Sequence, residues 1–326
     1  MIVISGITSS LGISLANLLA TKGIRVLGFA RHIERAKKLL VHPLIDLKVA
    51  DLNDKPLMQS ICSKASAIVH LAALSSPWGR YSDFFRTNVE GTASIVEAAF
   101  LSKTPRFVHV STPSIYFDYT DRFDIQEDDE LPRRSVNAYA STKKMAEKVV
   151  DQAFARGLPC ITIRPRAIFG PHDQILFPRV IEACRKNGIP CFRKTSPLVD
   201  ITYVENAVSA LLCALDAPFS CCGKKYNITN GEPAPLWEIL QLLLTKLSLP
   251  IRRRRVPYPL AYSAALFSEI FGQLTAREPR LTRYGVAVLT FSQTLSIQRA
   301  QSELNYHPSI SLHEGINRYV NWLQTQ

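Results

Sequence analysis

The first half of the chain alternates short apolar segments with helix-like segments, and this alternation constrains the fold more than any single motif. Six apolar segments rich in β-branched residues are predicted strands: residues 1–5, 24–30, 44–49, 67–71, 106–110 and 160–164. Helical stretches such as residues 31–41 and 83–103 separate them. Short runs without a polar face are typical of parallel strands buried on both sides, and their crossovers are right-handed. The sequence therefore predicts an α/β fold with a doubly wound parallel sheet.

A glycine turn joins the first predicted strand to the first predicted helix. Residues 6–12 read Gly-Ile-Thr-Ser-Ser-Leu-Gly, and the helix that follows ends at Gly23. In such a strand–turn–helix unit, backbone N–H groups and the helix N-terminus face the pyrophosphate of a dinucleotide. Ser9 stands where the usual three-glycine fingerprint has a glycine, so we expect its backbone not to be left-handed and its hydroxyl to be able to contact phosphate. The alternative is an ordinary turn that binds nothing.

Several residues follow directly on the carboxyl ends of the predicted strands. These ends meet at one edge of a parallel sheet, and ligands bind outside that edge. Six residues hold such positions: Gly6, Arg31, Asp51, Ala72, Thr112 and Pro165. Their convergence predicts a ligand site at this edge.

A tyrosine and a lysine four residues apart open a predicted helix. Tyr139 and Lys143 lie on one helical face, so we expect the ammonium to lower the pKa of the phenol toward the working pH, as a general acid/base requires. Thr112 would bind the oxygen that gains or loses the proton. The alternative is that Tyr139 and Lys143 are ordinary helix surface residues, because this spacing is expected about once by chance in a chain of this length.

These motifs together resemble the extended short-chain dehydrogenase/reductase superfamily, which includes the NAD-dependent epimerases and dehydratases. The resemblance covers nearly the whole chain and rests on residues 6–12, 51–52, 70–73, 88–92, 110–112, 139–143, 164–165, 169–171, 304–308 and 315. It implies a Rossmann-type sheet in residues 1–165 and a smaller C-terminal substrate-binding lobe in residues 166–326, with some of that chain returning to the sheet. It implies that Thr112, Tyr139 and Lys143 are catalytic. The predicted cofactor site comprises Gly6, Thr8, Ser9, Ser10, Leu11, Gly12, Arg31, Asp51, Leu52, Leu71, Ala72, Ala73, Tyr139, Lys143 and Pro165.

Within the superfamily, the chain is most similar to the 3β-hydroxysteroid dehydrogenase-like branch and to bacterial 2-alkyl-3-oxoalkanoate reductases. The similarity rests on residues 78–81, 83–86, 111–114, 200–207 and 227–233. Members that act on NDP-sugars usually carry an asparagine at the position of Ala167 and often an arginine at that of Val199, and both side chains would contact a diphosphate. The resemblance therefore implies an NAD(P)-dependent oxidoreductase that interconverts a ketone and a secondary alcohol on a largely apolar, 3-hydroxysteroid- or 3-oxoacid-like substrate. Two alternatives stay open: an NDP-sugar epimerase or dehydratase with the same triad, and a non-catalytic NADP-binding regulator.

The end of the second predicted strand bears on the choice of cofactor. Residues 28–32 read Gly-Phe-Ala-Arg-His and contain no carboxylate to bind a ribose 2′-hydroxyl. Arg31 offers a guanidinium to a 2′-phosphate instead, so NADP(H) is favoured and NAD(H) is the alternative.

Two aromatic residues follow the fourth predicted strand. Trp78 and Tyr81 are predicted to contact the substrate, because each offers a large apolar face with one polar group. The alternative for Trp78 is that it covers the core.

A basic cluster and an apolar helix stand out in the second half of a chain whose formal charge is +12. Arg252 begins a run of four arginines, and residues 260, 264, 267, 270, 271 and 274 fall on one helical stripe. We expect the stripe to pack inside the second lobe. The alternative is that the segment from Arg252 to Leu274 touches anionic lipid or guards the entrance for an apolar anionic substrate.

The sequence does not predict nucleic acid or a metal ion as a partner. The charge is not accompanied by a nucleic-acid-binding motif, and the histidines and seven cysteines show no metal-ligand spacing. Residues 1–5 already form the first predicted strand, so we expect no cleavable signal. The odd number of cysteines without a Cys-x-x-Cys motif predicts reduced thiols and a cytoplasmic location. The expected partner is a small-molecule substrate, and a homodimer stays open.

Overall fold

A central parallel sheet organises the computed structural model, which describes residues 1–186, 188–251, 253–275, 278–279 and 281–326. Among these residues, seven strands form the sheet: β1 (Ile2–Ser5), β2 (Val26–Ala30), β3 (Ile45–Val49), β4 (Ala67–His70), β5 (Phe107–Val110), β7 (Cys160–Pro165) and β12 (Lys225–Ile228). Their order is β12-β7-β5-β4-β1-β2-β3, so the order reverses between β1 and β4. The predicted doubly wound α/β fold is confirmed, and the reversal marks the crevice where ligands of such sheets bind.

Helices cover both faces of the sheet. The helices of the described residues are α1 (Ser10–Thr21), α2 (Glu34–Leu39), α3 (Lys55–Cys62), α4 (Tyr81–Phe84), α5 (Gly91–Leu101), α6 (Ala138–Ala155), α7 (Phe177–Lys186), α8 (Val204–Asp216), α9 (Leu236–Lys246), α10 (Tyr258–Thr275), α11 (Arg283–Val288), α12 (Gln298–Leu304) and α13 (Leu312–Gln324). Side chains alternate along each strand, so Val3 packs in the cluster with α3, α5 and α6, whereas Ile4 packs in the cluster with α1 and α8. This two-sided burial explains why the inner strands lack a polar face, whereas the edge strand β3 is partly exposed and carries Asp46 and Lys48.

The remaining strands form small sheets beside the central one. β6 (Arg122–Ile125), β10 (Leu198–Val199), β13 (Ala234–Pro235) and β15 (Gln293–Leu295) make a four-stranded sheet, whereas β8 (Ile168–Phe169) pairs with β11 (Thr202–Tyr203) and β9 (Ile189–Cys191) with β14 (Arg253–Arg255). β12 lies after the predicted domain boundary at residue 165, yet it joins the central sheet. β6 lies before that boundary, yet it pairs with β15 of the small sheet. Chain therefore passes in both directions between the central sheet and the smaller sheets.

The apolar stripe of α10 faces solvent, so the expectation that it packs inside the second lobe is wrong. Phe267, Phe271 and Leu274 are 64–81% exposed. The buried face instead carries Ala261 and Ala265, which pack with Val286 and other residues, because small side chains let helices approach closely. Arg252 of the predicted segment lies outside the described residues, and in the described chain no helix is both long and apolar enough to cross a membrane.

Candidate active site

The glycine turn after β1 has the backbone that a dinucleotide site requires. Gly6 has a φ of +72°, and a Cβ there would lie 2.7 Å from the backbone nitrogen of Ala72, so a side chain is excluded. Ser9 has a φ of −72° and a ψ of 156°, an extended backbone that is not left-handed, as expected, and it forms the N-cap of α1. The Ser9 hydroxyl accepts a hydrogen bond from the Gly12 N–H (3.0 Å) and donates one to the Gly6 carbonyl (2.9 Å). Serine therefore replaces glycine without strain and stabilises the turn.

An open cavity of about 630 Å³ lies at the carboxyl edge of the sheet, over this turn. Nine predicted cofactor residues line it: Gly6, Thr8, Ser9, Arg31, Asp51, Leu52, Leu71, Ala72 and Ala73. A hydrogen bond from the Asn53 backbone N–H holds the pKa of the Asp51 carboxyl below its usual range. The close backbone approach at Gly6, the helix N-terminus and the guanidinium of Arg31 all suit a dinucleotide.

Further residues line the same cavity without having been predicted: Phe29, Ala30, His32, Ala50, Asn53, Leu74, Asp83, Arg86, Thr87 and Gln174. Most are chain neighbours of predicted residues, so the strand-end pattern could have found them. Arg86 and Thr87 come from a π-helical segment, Phe85–Glu90, and Gln174 comes from a distant loop. Arg86 lies in the segment 83–86 on which the family resemblance rests, whereas no local signal in the sequence marks Thr87 or Gln174.

The other predicted cofactor residues lie beside the cavity and do not belong to its lining. The Ser10 hydroxyl donates a hydrogen bond to the Pro171 carbonyl (2.7 Å), and Leu11 and Gly12 are buried in α1. Pro165 ends β7. Their contact with a cofactor stays a prediction.

Thr112 and Tyr139 come together at the carboxyl edge of the sheet. Thr112 follows β5, and Tyr139 lies in the first turn of α6, whose N-terminus is capped by the Asn137 side chain (2.8 Å to the Ala140 N–H). Burial raises the pKa of the Tyr139 phenol to about 12, and the Thr112 hydroxyl acts in the opposite direction. The phenol is therefore protonated at neutral pH, as a general acid must be.

The ammonium of Lys143 contacts other groups than the Tyr139 phenol that the sequence predicts. Its ammonium donates a hydrogen bond to the Val110 carbonyl (2.8 Å) and lies 3.3 Å from Nε2 of His109. Burial lowers the pKa of Lys143 to about 8, opposed by the nearby Glu147, and Lys143 is not among the groups that shift the pKa of Tyr139. The structure therefore differs from the expectation that this ammonium lowers the pKa of the phenol, because the lysine stem reaches to the end of β5.

The position of Lys143 predicts how stability depends on pH. Its pKa is about 8 in the folded protein against 10.5 for a free lysine, so the unfolded chain binds more protons between these values and stability rises with pH. We expect the wild type to gain free energy of unfolding relative to Lys143→Met as the pH rises from about 8 to about 10.5. Urea titrations of both proteins across this range measure the difference. A difference that does not change with pH would contradict the buried ammonium.

Two histidines lie close to this lysine. His70 is hydrogen-bonded through Nδ1 to the Ser5 hydroxyl (2.7 Å) and through Nε2 to the Thr92 hydroxyl (2.9 Å), and burial lowers its pKa to about 3. Its ring lies 5.4 Å from that of His109, whose pKa burial lowers well below the ordinary value. Both imidazoles are therefore neutral beside the ammonium, and His70 has the role of a satisfied core residue.

The predicted substrate loop is fixed by Asn88. Its side-chain amide accepts a hydrogen bond from the Leu74 N–H (2.7 Å) and donates to the Leu74 carbonyl (3.2 Å) and to the Thr142 hydroxyl of α6 (3.0 Å). Trp78 is half-buried in this loop, whereas Tyr81 is 50% exposed and contacts Met145. The predicted contact of Trp78 and Tyr81 with the substrate stays a prediction.

Sequence reasoning missed two polar residues beside the catalytic pair. The Thr112 hydroxyl donates to the Ser114 hydroxyl (3.1 Å), which lies 2.9 Å from the hydroxyl of Tyr284 in α11. The Tyr284 phenol in turn influences the pKa of both Tyr139 and Arg166. A contact between residues 170 positions apart leaves no pattern in a single sequence.

Comparisons with known proteins agree with this geometry. The sequence profile of the NAD dependent epimerase/dehydratase family matches residues 2–229. The uncharacterised protein YbjS of Escherichia coli is 38% identical over 99% of this chain and 97% of its own length. The 2-alkyl-3-oxoalkanoate reductase of Shewanella oneidensis is 31% identical over 97% of this chain and 84% of its own length.

A solved structure shows the same fold. The UDP-glucuronic acid 4-epimerase from Bacillus cereus, in complex with UDP-glucuronic acid and NAD, superposes with a TM-score of 0.79 over 99% of both chains. The two sequences are 18% identical, so the likeness concerns the fold alone.

Proposed function

The chain belongs to the NAD-dependent epimerase/dehydratase family, and on that premise we propose that it is a cytoplasmic NAD(P)-dependent oxidoreductase that interconverts a ketone and a secondary alcohol. The substrate is largely apolar and resembles a 3-oxoacid or a 3-hydroxysteroid. The observation that supports this most is the protonated Tyr139 beside Thr112, next to a cavity suited to a dinucleotide. The likeness to a 2-alkyl-3-oxoalkanoate reductase supports the same chemistry.

Tyr139 and Thr112 both act on the oxygen atom of the substrate carbonyl or hydroxyl. When bound, the nicotinamide supplies the hydride in reduction or accepts it in oxidation. Tyr139 donates its proton to the substrate oxygen during reduction and takes it back in the reverse direction. Thr112 holds that oxygen by a hydrogen bond. Lys143 would hold the nicotinamide ribose.

Two positions argue against the first alternative, an NDP-sugar epimerase or dehydratase. Ala167 has no side chain that could bind a diphosphate, and Val199 is buried in β10, where it pairs with Ala234 and Gln293. Neither position therefore provides a side chain that could bind the diphosphate of an NDP-sugar.

A substrate screen tests the proposal against both alternatives. NADPH absorbance is followed with 3-oxo acids, 3-ketosteroids and UDP-sugars. We expect ketones to consume NADPH and UDP-sugars to leave it unchanged. Conversion of a UDP-sugar without net cofactor consumption would identify the epimerase, and binding of NADPH without any turnover would identify the regulator.

The cofactor preference rests on Arg31. Arg31 lines the cavity, whereas Arg35 donates to the carbonyls of Thr8 (3.3 Å) and His172 (2.9 Å). We expect NADPH to bind more tightly than NADH, and Arg31→Ala to weaken NADPH binding by about 10- to 100-fold, since a charge-assisted contact with the 2′-phosphate is lost. Fluorescence titration measures both affinities, with Lys38→Ala as the control because Lys38 is exposed outside the lining. Tighter binding of NADH by the wild type would overturn the preference.

A further inference from the structure

Arg166 is a buried cation that forms no ion pair among the described residues. The residue is 6% exposed, and its Nε is buried without a hydrogen-bond partner among the described residues. Within the described ranges of the chain, no carboxylate oxygen lies within 4.0 Å of a guanidinium nitrogen of Arg166. Burial lowers the pKa of Arg166 below its usual range although Asp200 and Tyr284 act in the opposite direction, so the protein compensates this charge only in part and the guanidinium can bind a further anion.

The backbone of Arg166 is held in place beside the catalytic pair. Its N–H donates to the Ile228 carbonyl (2.9 Å), and its carbonyl accepts from the Thr202 hydroxyl (2.5 Å). β5 and β7 are neighbours with Val110 opposite Ile163, so Thr112 and Arg166 leave the same sheet edge side by side. Tyr284 is near both residues, since its hydroxyl lies 2.9 Å from that of Ser114, which bonds to Thr112, and its phenol influences the pKa of Arg166.

Two other buried polar groups in this region have unused hydrogen-bonding capacity. Asp200 is the carboxylate that influences the pKa of Arg166. One of its oxygens accepts a hydrogen bond from the Leu295 N–H (2.8 Å), and the other has no partner among the described residues. Gln293, opposite Val199 in the small sheet, has no described partner for either side-chain atom. Natural proteins leave few such atoms unpaired, so Arg166, Asp200 and Gln293 keep hydrogen-bonding capacity that a polar ligand group could use.

We propose that Arg166 binds a carboxylate of the substrate, one or two bonds from the carbonyl carbon that reacts at Thr112 and Tyr139. The substrate is then a 3-oxo acid in reduction and a 3-hydroxy acid in oxidation. A single guanidinium neutralises one carboxylate and matches its two oxygens, whereas a diphosphate carries more charge than one buried cation can compensate. This inference rests on the proposed oxidoreductase function and narrows its substrate class.

A matched pair of substrates tests the role of Arg166. A long-chain 3-hydroxy acid and its methyl ester differ in the charge of the carboxyl group and by one methyl group, and both are chemically stable. Their oxidation moves a hydride from the carbinol carbon to NADP⁺ and the hydroxyl proton to Tyr139, which first releases its own phenol proton to solvent, and absorbance of NADPH reports the rate. We expect Arg166→Met to lower the acid-to-ester ratio of kcat/KM by about 10- to 100-fold, mainly through KM, because a charge-assisted contact is lost. Arg166→Lys should keep part of the preference, and Arg25→Met, at the opposite end of the sheet, should keep all of it.

The outcomes separate this inference from the proposed function. An unchanged acid-to-ester ratio in Arg166→Met would overturn the carboxylate site while the oxidoreductase stands. If wild type oxidises neither compound, calorimetry decides: binding of the acid to wild type but not to Arg166→Met supports the site, and equal binding overturns it. If Arg166→Met does not fold, the same ratio and calorimetry are measured on Arg166→Lys, where no reduction in preference overturns the site.

An independent observation concerns the exposed face of α10. That face presents Leu260, Phe267, Ile270, Phe271 and Leu274, each 45–81% exposed, and the single charged residue of the helix, Glu269, is buried. Patches of this kind on a soluble protein mark interaction sites.

The strand that precedes α10 is strongly basic. All three residues of β14, Arg253–Arg255, are exposed, and they lie two residues before the helix. An exposed apolar helix face that follows exposed arginines directly in the chain complements an anionic lipid surface, which offers acyl chains and negative headgroups together. From this complementarity we infer that β14 and α10 rest on an anionic membrane.

Vesicle sedimentation tests this inference with the full chain. We expect binding to vesicles of phosphatidylcholine with phosphatidylglycerol, weaker binding to phosphatidylcholine alone, and at least a tenfold lower bound fraction for Phe267→Ser/Phe271→Ser, because two apolar side chains no longer enter the interface. Phe219→Ser is the control, since Phe219 is 68% exposed outside α10 and β14. Equal binding of both variants would overturn the inference. A lipid-independent dimer that the double substitution dissociates would overturn it too, and would assign the face to a second copy of the chain.

Discussion

Replacing Tyr139 by phenylalanine is expected to lower kcat by about 10²- to 10⁴-fold, because the substitution removes the proton donor and little else. Affinity for the cofactor should change little, since Tyr139 does not belong to the lining of the large cavity. Steady-state kinetics and a cofactor titration on the same preparation measure both quantities. Tyr319→Phe is the matched control, because it removes a phenol hydroxyl from a fully buried tyrosine in α13.

Near-normal activity of Tyr139→Phe would remove the acid/base role of this residue. Equal losses in Tyr139→Phe and Tyr319→Phe would indicate a general effect on folding, and thermal denaturation of both variants distinguishes that case.

Replacing Arg164 by methionine is expected to lower the free energy of unfolding by about 3–5 kcal/mol, because it leaves the carboxylate of Glu147 buried without its partner. Arg164 is 2% exposed and donates two hydrogen bonds to Glu147 (2.9 and 2.7 Å), one to the Glu127 carbonyl (3.1 Å) and one to Tyr116. Glu147 lies one helical turn after Lys143, so the pair fixes α6 against β7. Urea unfolding measures the loss.

The double variant Arg164→Met/Glu147→Met is the control for this explanation. Removing both charges avoids the uncompensated carboxylate, so we expect the double variant to recover most of the lost stability. A double variant whose loss equals the sum of the two single losses would contradict the account.

The central sheet could be predicted from the sequence because most of its strands are buried on both faces and therefore read as short apolar runs. The structure moves the ends of these strands by no more than two residues, as for the predicted segment 24–30 and β2 at Val26–Ala30. The turn at Gly6 and the capping role of Ser9 likewise follow from neighbours along the chain. Local signals suffice where the contacts are local.

The parts that escaped prediction depend on contacts between distant segments. Tyr284 reaches Ser114 across 170 residues. The sequence predicts that the stripe of α10 packs inside the second lobe because apolar residues are usually buried. The packing of Ala261 and Ala265 instead turns the larger side chains toward solvent. The position of Lys143 is set by the Val110 carbonyl, which no helical spacing reveals.

Transfer of deuterium tests the central claim most directly. The protein is supplied with NADPH labelled with deuterium on either face of C4 of the nicotinamide and with a 3-oxo acid or an apolar ketone, and the alcohol is analysed by mass spectrometry and NMR. The account predicts one deuterium per NADPH consumed, on the carbinol carbon, from one of the two labelled cofactors, and no label in the product with Tyr139→Phe on the same timescale. An alcohol without deuterium from either cofactor, or substrate conversion that leaves the label on the cofactor, would contradict it.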